Sequence, residues 1–184
     1  KTAEEIKSEN VQVEKAKKDP AAFGALYEKY YRHIFVFVYR RTGKEELTAD
    51  LVSQIFVKAM VNIQKYEFKG LPFSSWLFRI AHNEIISFYR KSDRERVVSL
   101  EQVNLAAIIS EIKEEEKTED ETILLKSIPE LDEDAVHLIE LRYFEQRPFN
   151  EVGEILGITE NNAKVKLYRI LDKLKEIILK KKKL

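Results

Sequence analysis

Apolar residues recur three or four apart over long stretches of this chain. In AAFGALYEKYYRHIFVFVYRR, the positions Phe23, Leu26, Tyr27, Tyr30, Ile34 and Val38 fall on one helix side. Asp19-Pro20 supplies a start signal and Thr42-Gly43 a stop. TADLVSQIFVKAMVNI predicts a second helix, with Leu51, Val52, Ile55 and Phe56 as its apolar rows. YEFKGLP then breaks the pattern at Gly70 and Pro72, and FSSWLFRIAHNEIISFYRKS predicts a third helix opened by the caps Ser74 and Ser75. The period fades from Asp93 to Thr122 and returns after Ile123, where helices are predicted over about 121–128, 132–144, 148–155 and 160–179. The expected fold is all-α: two small helical domains, 1–92 and 123–184, joined by a linker over 93–122.

Five glycines and four prolines in 184 residues agree with helices rather than turn-rich sheets. The net charge is zero, which taken alone argues against a nucleic-acid partner, but the average hides segregation. Residues 1–92 carry 16 basic and 11 acidic side chains, giving +5, and residues 93–122 carry 4 and 10, giving −6. Residues 123–159 carry 3 and 8, giving −5, and residues 160–184 carry 9 and 3, giving +6. A phosphate backbone meets the local field, not the total. In EIKEEEKTEDE, like charges four apart repel, which favours a linker over a solvated helix, although part of LAAIIS has the character to dock.

With no cysteine, disulfides, thiolate nucleophiles and Cys-ligated zinc are excluded. No run approaches the ~20 apolar residues of a membrane span, and KTAEEIKSEN lacks an apolar signal region. A soluble cytoplasmic protein without membrane insertion is the expectation, and Lys1 in place of methionine implies that a few residues precede it.

The segment EVGEILGITENNAKVKLYRILDKL carries the first candidate site. Val152, Ile155 and Leu156 make a short buried row, Gly157 allows a left-handed turn, Ile158 plugs the core and Thr159 caps the next helix. Gly153 sits where a larger side chain would push the two helices apart. On the second helix Ala163, Leu167, Ile170, Leu171 and Leu174 share one side, while Asn161, Asn162, Val165, Tyr168 and Arg169 lie opposite, flanked by Lys164 and Lys166. Amides for base edges, a methyl-bearing side chain for thymine and cations for phosphate are what a major groove takes. A solvated amphipathic helix would also carry outward cations, but the turn chemistry before it is that of a helix-turn-helix. The Lys180–Lys183 run fits either added phosphate affinity or a solubilising tail.

The second candidate lies around Trp76. Leu77, Ile80, Ala81, Ile85 and Phe88 form a buried side, and Arg79, Asn83, Ser87 and Arg90 recur on the opposite, polar one. Just upstream, KYEFKGLPFSSW gathers Tyr66, Phe68, Phe73 and Trp76 around a Gly/Pro loop with Lys65 and Lys69. Rings beside cations suit unstacked bases, and large aromatics equally suit a helix-bundle core, which is the plainer reading of Phe73 and Trp76.

TADLVSQIF…YEFKGLPFSSWLFRIAHNEIISFYRK resembles the second region of bacterial sigma factors, and LRYFEQRPFNEVGEILGITENNAKVKLYRILDKL resembles their fourth. Two such regions joined by a linker resemble the compact extracytoplasmic-function (ECF) group. The resemblance implies an alternative sigma factor that binds core RNA polymerase through the β′ clamp helices and the β flap, and carries it to promoter DNA. A family motif that grips the clamp helices falls on Asp50, Leu51, Val52, Ser53 and Gln54, with Ser53 and Gln54 departing from the family's Gln and Glu. The Trp-Leu-x-Arg-Ile-Ala-x-Asn motif is intact as Trp76, Leu77, Arg79, Ile80, Ala81 and Asn83. By resemblance Phe68, Lys69, Trp76, Arg79, Asn83, Ser87, Arg90 and Lys91 open the −10 element and capture an extruded nontemplate base. By the same resemblance, Asn161, Asn162, Lys164, Val165, Lys166, Tyr168 and Arg169 would read the −35 duplex. The acidic linker would either occupy a basic polymerase channel or keep itself off DNA. An anti-sigma factor is a family expectation to which no residue here speaks.

Two other classes are separable. A stand-alone repressor would not need the Trp76–Asn83 motif beside an aromatic loop. An enzyme would need a catalytic constellation, and His33, His82 and His137 are scattered without metal-ligand spacing. His82, beside Asn83, is expected at the surface or facing DNA. No Gly-rich phosphate loop occurs. Neither cofactor nor metal is expected, and nucleotide addition would belong to the polymerase.

Overall fold

The computed structural model describes residues 1–92, 108 and 120–181. Among them all regular structure is helical, and the chain divides into two compact units, Lys1–Ser99 and Leu100–Leu184.

The first unit opens with α1 (Ala3–Lys18), which the apolar pattern does not predict. Its buried side consists of Glu9, Val13 and Ala16, so a charged residue stands where periodicity looks for an apolar one. Its start is nonetheless written in the sequence as a capping box. Thr2 Oγ1 accepts from Glu5 N–H at 3.2 Å, and Glu5 Oε2 accepts from Thr2 N–H at 2.8 Å. A 3-10 turn, Pro20–Ala22, leads into α2 (Phe23–Thr42), which ends at Gly43 as predicted. Helix α3 (Glu45–Asn62) and a 3-10 turn, Ile63–Lys65, precede the loop to α4 (Phe73–Ser92).

Helices α2, α3 and α4 pack on one another around Leu26, Ile34, Phe37, Ile55, Leu77, Phe78 and Ile85, all buried. Phe37 and Phe78 meet with ring centres 4.9 Å apart. Each such side chain contributes about 1.5–3 kcal/mol on burial. The α3–α4 ion pair Lys58–Glu84, 2.5 Å, has an exposed lysine and contributes at most about 1 kcal/mol. Packing therefore fixes the bundle.

Two expectations are corrected here. Helix α4 begins at Phe73, so Ser74 and Ser75 are buried in its first turn rather than capping it. The acceptor at that end comes from another helix: Glu9 Oε2 receives the Phe73 N–H at 3.0 Å. Tyr27, expected in the core, is exposed and starts a ladder of rings at every fourth residue of α2. Tyr27–Tyr31, Tyr31–Phe35 and Phe35–Tyr39 have ring centres 5.3, 5.8 and 6.3 Å apart.

The second unit runs through α5 (Asp120–Ser127), a 3-10 turn (Ile128–Glu130), α6 (Glu133–Ile139), α7 (Phe149–Leu156) and α8 (Glu160–Lys181). Asp132 caps α6 by accepting from Ala135 N–H at 2.9 Å. The single helix predicted over 132–144 is divided: beyond Ile139 the backbone widens into a π turn, Glu140–Phe144, and Gln146 at φ 51° turns the chain out of it. Leu167, Leu171, Leu174 and Ile178 bury one side of α8, which packs on α5, α6 and α7.

The predicted acidic linker, 93–122, lies outside the described residues apart from Ile108 and the start of α5. Ile108, within LAAIIS, is helical and buried. Of the terminal lysine run, Lys181 pairs with Glu130 and donates to the Lys126 carbonyl at 3.4 Å, while Lys182 and Lys183 lie outside the described residues.

Candidate nucleic-acid interface

The helix-turn-helix of the second unit is built on one carbonyl. Gly157, at φ 69°, closes α7 by donating to the Gly153 oxygen, and Ile158 N–H donates to the same oxygen at 2.9 Å. A Cβ added at Gly153 would stand 2.8 Å from the Ile158 carbonyl oxygen and 3.2 Å from the Glu160 nitrogen. The glycine thus admits the backbone of the turn and of the first residue of α8, so a side chain there would push the next helix away. Thr159 then caps α8, its Oγ1 accepting from Asn162 N–H at 3.2 Å. Ile158, expected as a core plug, is only half-buried, as are Leu156 and Ile170.

Opposite the buried side of α8, Asn161, Asn162, Val165, Lys166, Tyr168 and Arg169 are all exposed, Tyr168 at 60%. From Asn161 to Arg169 the helix advances about 12 Å, close to the ~12 Å width of a B-DNA major groove. Lys164 behaves differently. Its ammonium pairs with Glu160 at 2.7 Å and stands 5.7 Å from the Phe149 ring centre, which also carries Arg142 at 4.6 Å. That side chain braces α8 against α7, so Lys166 and Arg169 are the outward cations of this stretch.

In the first unit the aromatic loop divides into a base and a tip. Tyr66, Phe73 and Trp76 pack ring on ring, with centres 5.4–5.5 Å apart in each pair. Tyr66 and Phe73 are buried and Trp76 is half-buried, so the core reading holds for Phe73 and Trp76 lines the rim. Phe68, at the tip, is 39% exposed beside exposed Lys69, and Gly70 turns the chain at φ 73°. The polar row of α4 follows: Asn83, Arg90 and Lys91 are exposed, and Arg79 and Ser87 half-buried. Arg79 to Arg90 spans about 16 Å along the helix. His82, expected at the surface or facing DNA, is instead buried; it lies one residue off the polar row and turns inward.

Beneath this loop sits a buried carboxylate that the sequence reading does not assign. Glu9 receives Lys1 at 2.8 Å, Lys29 at 2.8 Å and the Tyr30 hydroxyl, besides Phe73 N–H. Burial pushes its pKa upward, but hydrogen bonds from Lys1, Lys29 and Tyr30 outweigh it and hold the value at about 2.

On α3, Asp50, Ser53 and Gln54 are exposed, whereas Leu51 and Val52 are buried. Leu51 cannot serve as a direct contact: it sets the position of the helix. The exposed face continues beyond Gln54. Val57 is 53% and Val61 70% exposed, and at 3.6 residues per turn they fall with Asp50 and Gln54 in an arc of about 60°. Met60 flanks them, also exposed. Helix α3 carries more apolar residues than its one buried face uses.

Among the described residues no group of histidines and carboxylates is arranged to hold a metal ion, and no helix is long and apolar enough to cross a membrane.

Residues 26–95 match the family Sigma-70 region 2, and residues 128–176 match Sigma-70, region 4. The chain therefore belongs to the sigma-70 family of RNA polymerase sigma factors, and its relatives place it in the ECF group. The ECF RNA polymerase sigma factor BldN of Streptomyces coelicolor is 26% identical over 174 residues, which are 90% of this chain and 64% of BldN. The chain thus spans less than two thirds of that relative. The ECF sigma factor SigM of Bacillus subtilis is 24% identical over 152 residues, 83% of this chain and 92% of SigM. Among solved structures, CnrH in complex with the cytosolic domain of CnrY shares the fold, with a TM-score of 0.63 at 20% identity over 92% of this chain and 96% of CnrH.

Proposed function

We propose that the chain is an alternative sigma factor that carries core RNA polymerase to a set of promoters and opens them. Helix α8 enters the major groove of the −35 element, with Asn161, Asn162, Val165, Tyr168 and Arg169 at base edges and Lys166 on phosphate. The exposed Phe68 stacks on a nontemplate base extruded from the −10 element, with Lys69 beside the backbone. Asn83, Arg79, Ser87, Arg90 and Lys91 receive the rest of the unpaired strand, and Trp76 lines the rim. The exposed face of α3, polar at Asp50, Ser53 and Gln54 and apolar at Val57 and Val61, docks on the β′ clamp helices, and the second unit on the β flap. Unstacking a base costs a few kilocalories per mole, and stacking it on an aromatic side chain returns about 1–3. No covalent step falls to this chain.

The observation that carries this reading is the pairing of two unlike surfaces in one chain. An amide-and-cation helix suits duplex DNA, and an exposed ring beside an Asn/Arg row suits single strands. By the same reasoning its compartment is the bacterial cytoplasm, and its regulator a protein that covers it, an anti-sigma factor, as the cytosolic domain of CnrY is bound to CnrH.

Permanganate footprinting tests the central step. With core polymerase the chain should expose −10 thymines, and a Phe68→Ala/Asn83→Ala variant should bind the promoter but leave them protected. Thymine reactivity equal to that of the parent would overturn the base-capture role.

A further inference from the structure

Helix α1 lies wholly before the residues that match region 2, yet it holds both ends of the loop that presents Phe68. At the entry, Lys17 Nζ donates to the Tyr66 carbonyl at 2.9 Å and stands 5.6 Å from the centre of the Tyr66 ring. The same ammonium pairs with Glu14 at 2.8 Å, and Gln64 donates its side-chain amide to the Lys17 carbonyl. At the exit, Glu9 accepts the Phe73 N–H at 3.0 Å. Glu9 and Lys17 are eight residues apart, about 12 Å along a helix. The seven-residue step from Tyr66 to Phe73 could span about 23–25 Å if extended. Fixing its ends this close leaves slack that must bow outward, and the bow is where Gly70 takes positive φ and Phe68 emerges.

We propose that α1 is a positioning element for promoter opening: Lys17 and Glu9 pin Tyr66 and Phe73 so that Phe68 stands ordered before a base arrives. This rests on the reading that Phe68 captures an extruded base. A loop released from α1 would have to be ordered at the moment of capture, and ordering one backbone residue weakens an equilibrium by a factor of about 5–30.

The test uses the full chain with core polymerase and a duplex promoter. Lys17→Met keeps most of the apolar stem but removes the donor, Lys17→Arg restores one, and Gln64→Ala releases the entry from a second, exposed side chain. Amide exchange at 67–71 should quicken in Lys17→Met and in Gln64→Ala. Trp76, the sole tryptophan, packs against the rings of both pinned residues, so its emission should shift as well. Open complex, read by thymine reactivity, should fall about 5–30-fold with polymerase affinity unchanged, and Lys17→Arg should recover it. In a Phe68→Ala background the Lys17→Met defect should disappear, because the two act on one step. Loop exchange unaltered in both variants, or losses that simply add, would overturn the proposal while leaving base capture intact. If Phe68→Ala alone opened promoters as well as the parent, base capture itself would fail, whatever Lys17 did.

Discussion

Acid should destabilise the first unit through Glu9 in particular, and the size of the effect follows from its surroundings. The carboxylate is buried, receives two lysines, a tyrosine hydroxyl and a backbone N–H, and has its pKa lowered from 4.5 to about 2. A folded pKa below the unfolded one means that the stabilisation is complete above about pH 4.5 and is lost as pH falls towards 2. At 1.36 kcal/mol per unit, the ionised carboxylate contributes about 3 kcal/mol near neutrality. Glu9→Gln removes the charge but keeps the shape. Lys1 and Lys29 are partly exposed and can rehydrate, so the loss should sit at or below the lower end of the about 3–5 kcal/mol seen for broken buried ion pairs. Urea unfolding followed by Trp76 emission reports this unit alone, since no other tryptophan exists. The parent should be about 2–3 kcal/mol more stable than Glu9→Gln at pH 7, and the gap should narrow to about 1 kcal/mol by about pH 2.5. A gap that stays constant from pH 7 to pH 2.5 would refute the charge argument, and a gap below about 0.5 kcal/mol would refute the network.

Three further perturbations bear on the two faces and the turn between α7 and α8. Gly153→Ala places a Cβ 2.8 Å from the Ile158 carbonyl oxygen; overpacking of about 1–3 kcal/mol should outweigh the about 1 kcal/mol that alanine gains in a helix, so thermal unfolding of the second unit should come earlier, and a later transition would contradict the close approach. Arg169→Ala should weaken retention on the upstream element by about 1–3 kcal/mol while leaving polymerase affinity intact, which gel-shift titration of the assembled holoenzyme would check. Val61→Asp changes a residue that is 70% exposed; it should leave melting unaltered but lower the affinity for core polymerase, and equal affinity by fluorescence anisotropy would remove the apolar part of the docking face.

Most of the helices were legible because their buried rows are regular: Leu77, Ala81 and Ile85 in α4, or Ala163, Leu167, Leu171 and Leu174 in α8, each fill one face. The turn was legible for a local reason as well, since Gly157 and Thr159 have the backbone freedom and side-chain oxygen that such a turn consumes. Helix α1 escaped because it is held by polar chemistry. A carboxylate that accepts from a residue 64 positions away leaves no periodic trace, although its Thr2–Glu5 capping box does. The outward Val57 and Val61 were invisible for the opposite reason: periodicity assigns apolar residues inward, and only the packed bundle reveals that Leu51, Ile55 and Ala59 had already filled the interior. The division of the loop rings had the same origin, since Tyr66 and Phe68 are equally aromatic in the sequence but face opposite environments in the fold.

The most direct measurement of the central claim is run-off transcription from a pool of promoter fragments with purified core polymerase, alongside DNA binding by the isolated chain. Defined transcripts should appear only when chain and core are combined, with weak binding by the chain alone. Tight, sequence-specific binding without polymerase, and no transcript with it, would contradict the account.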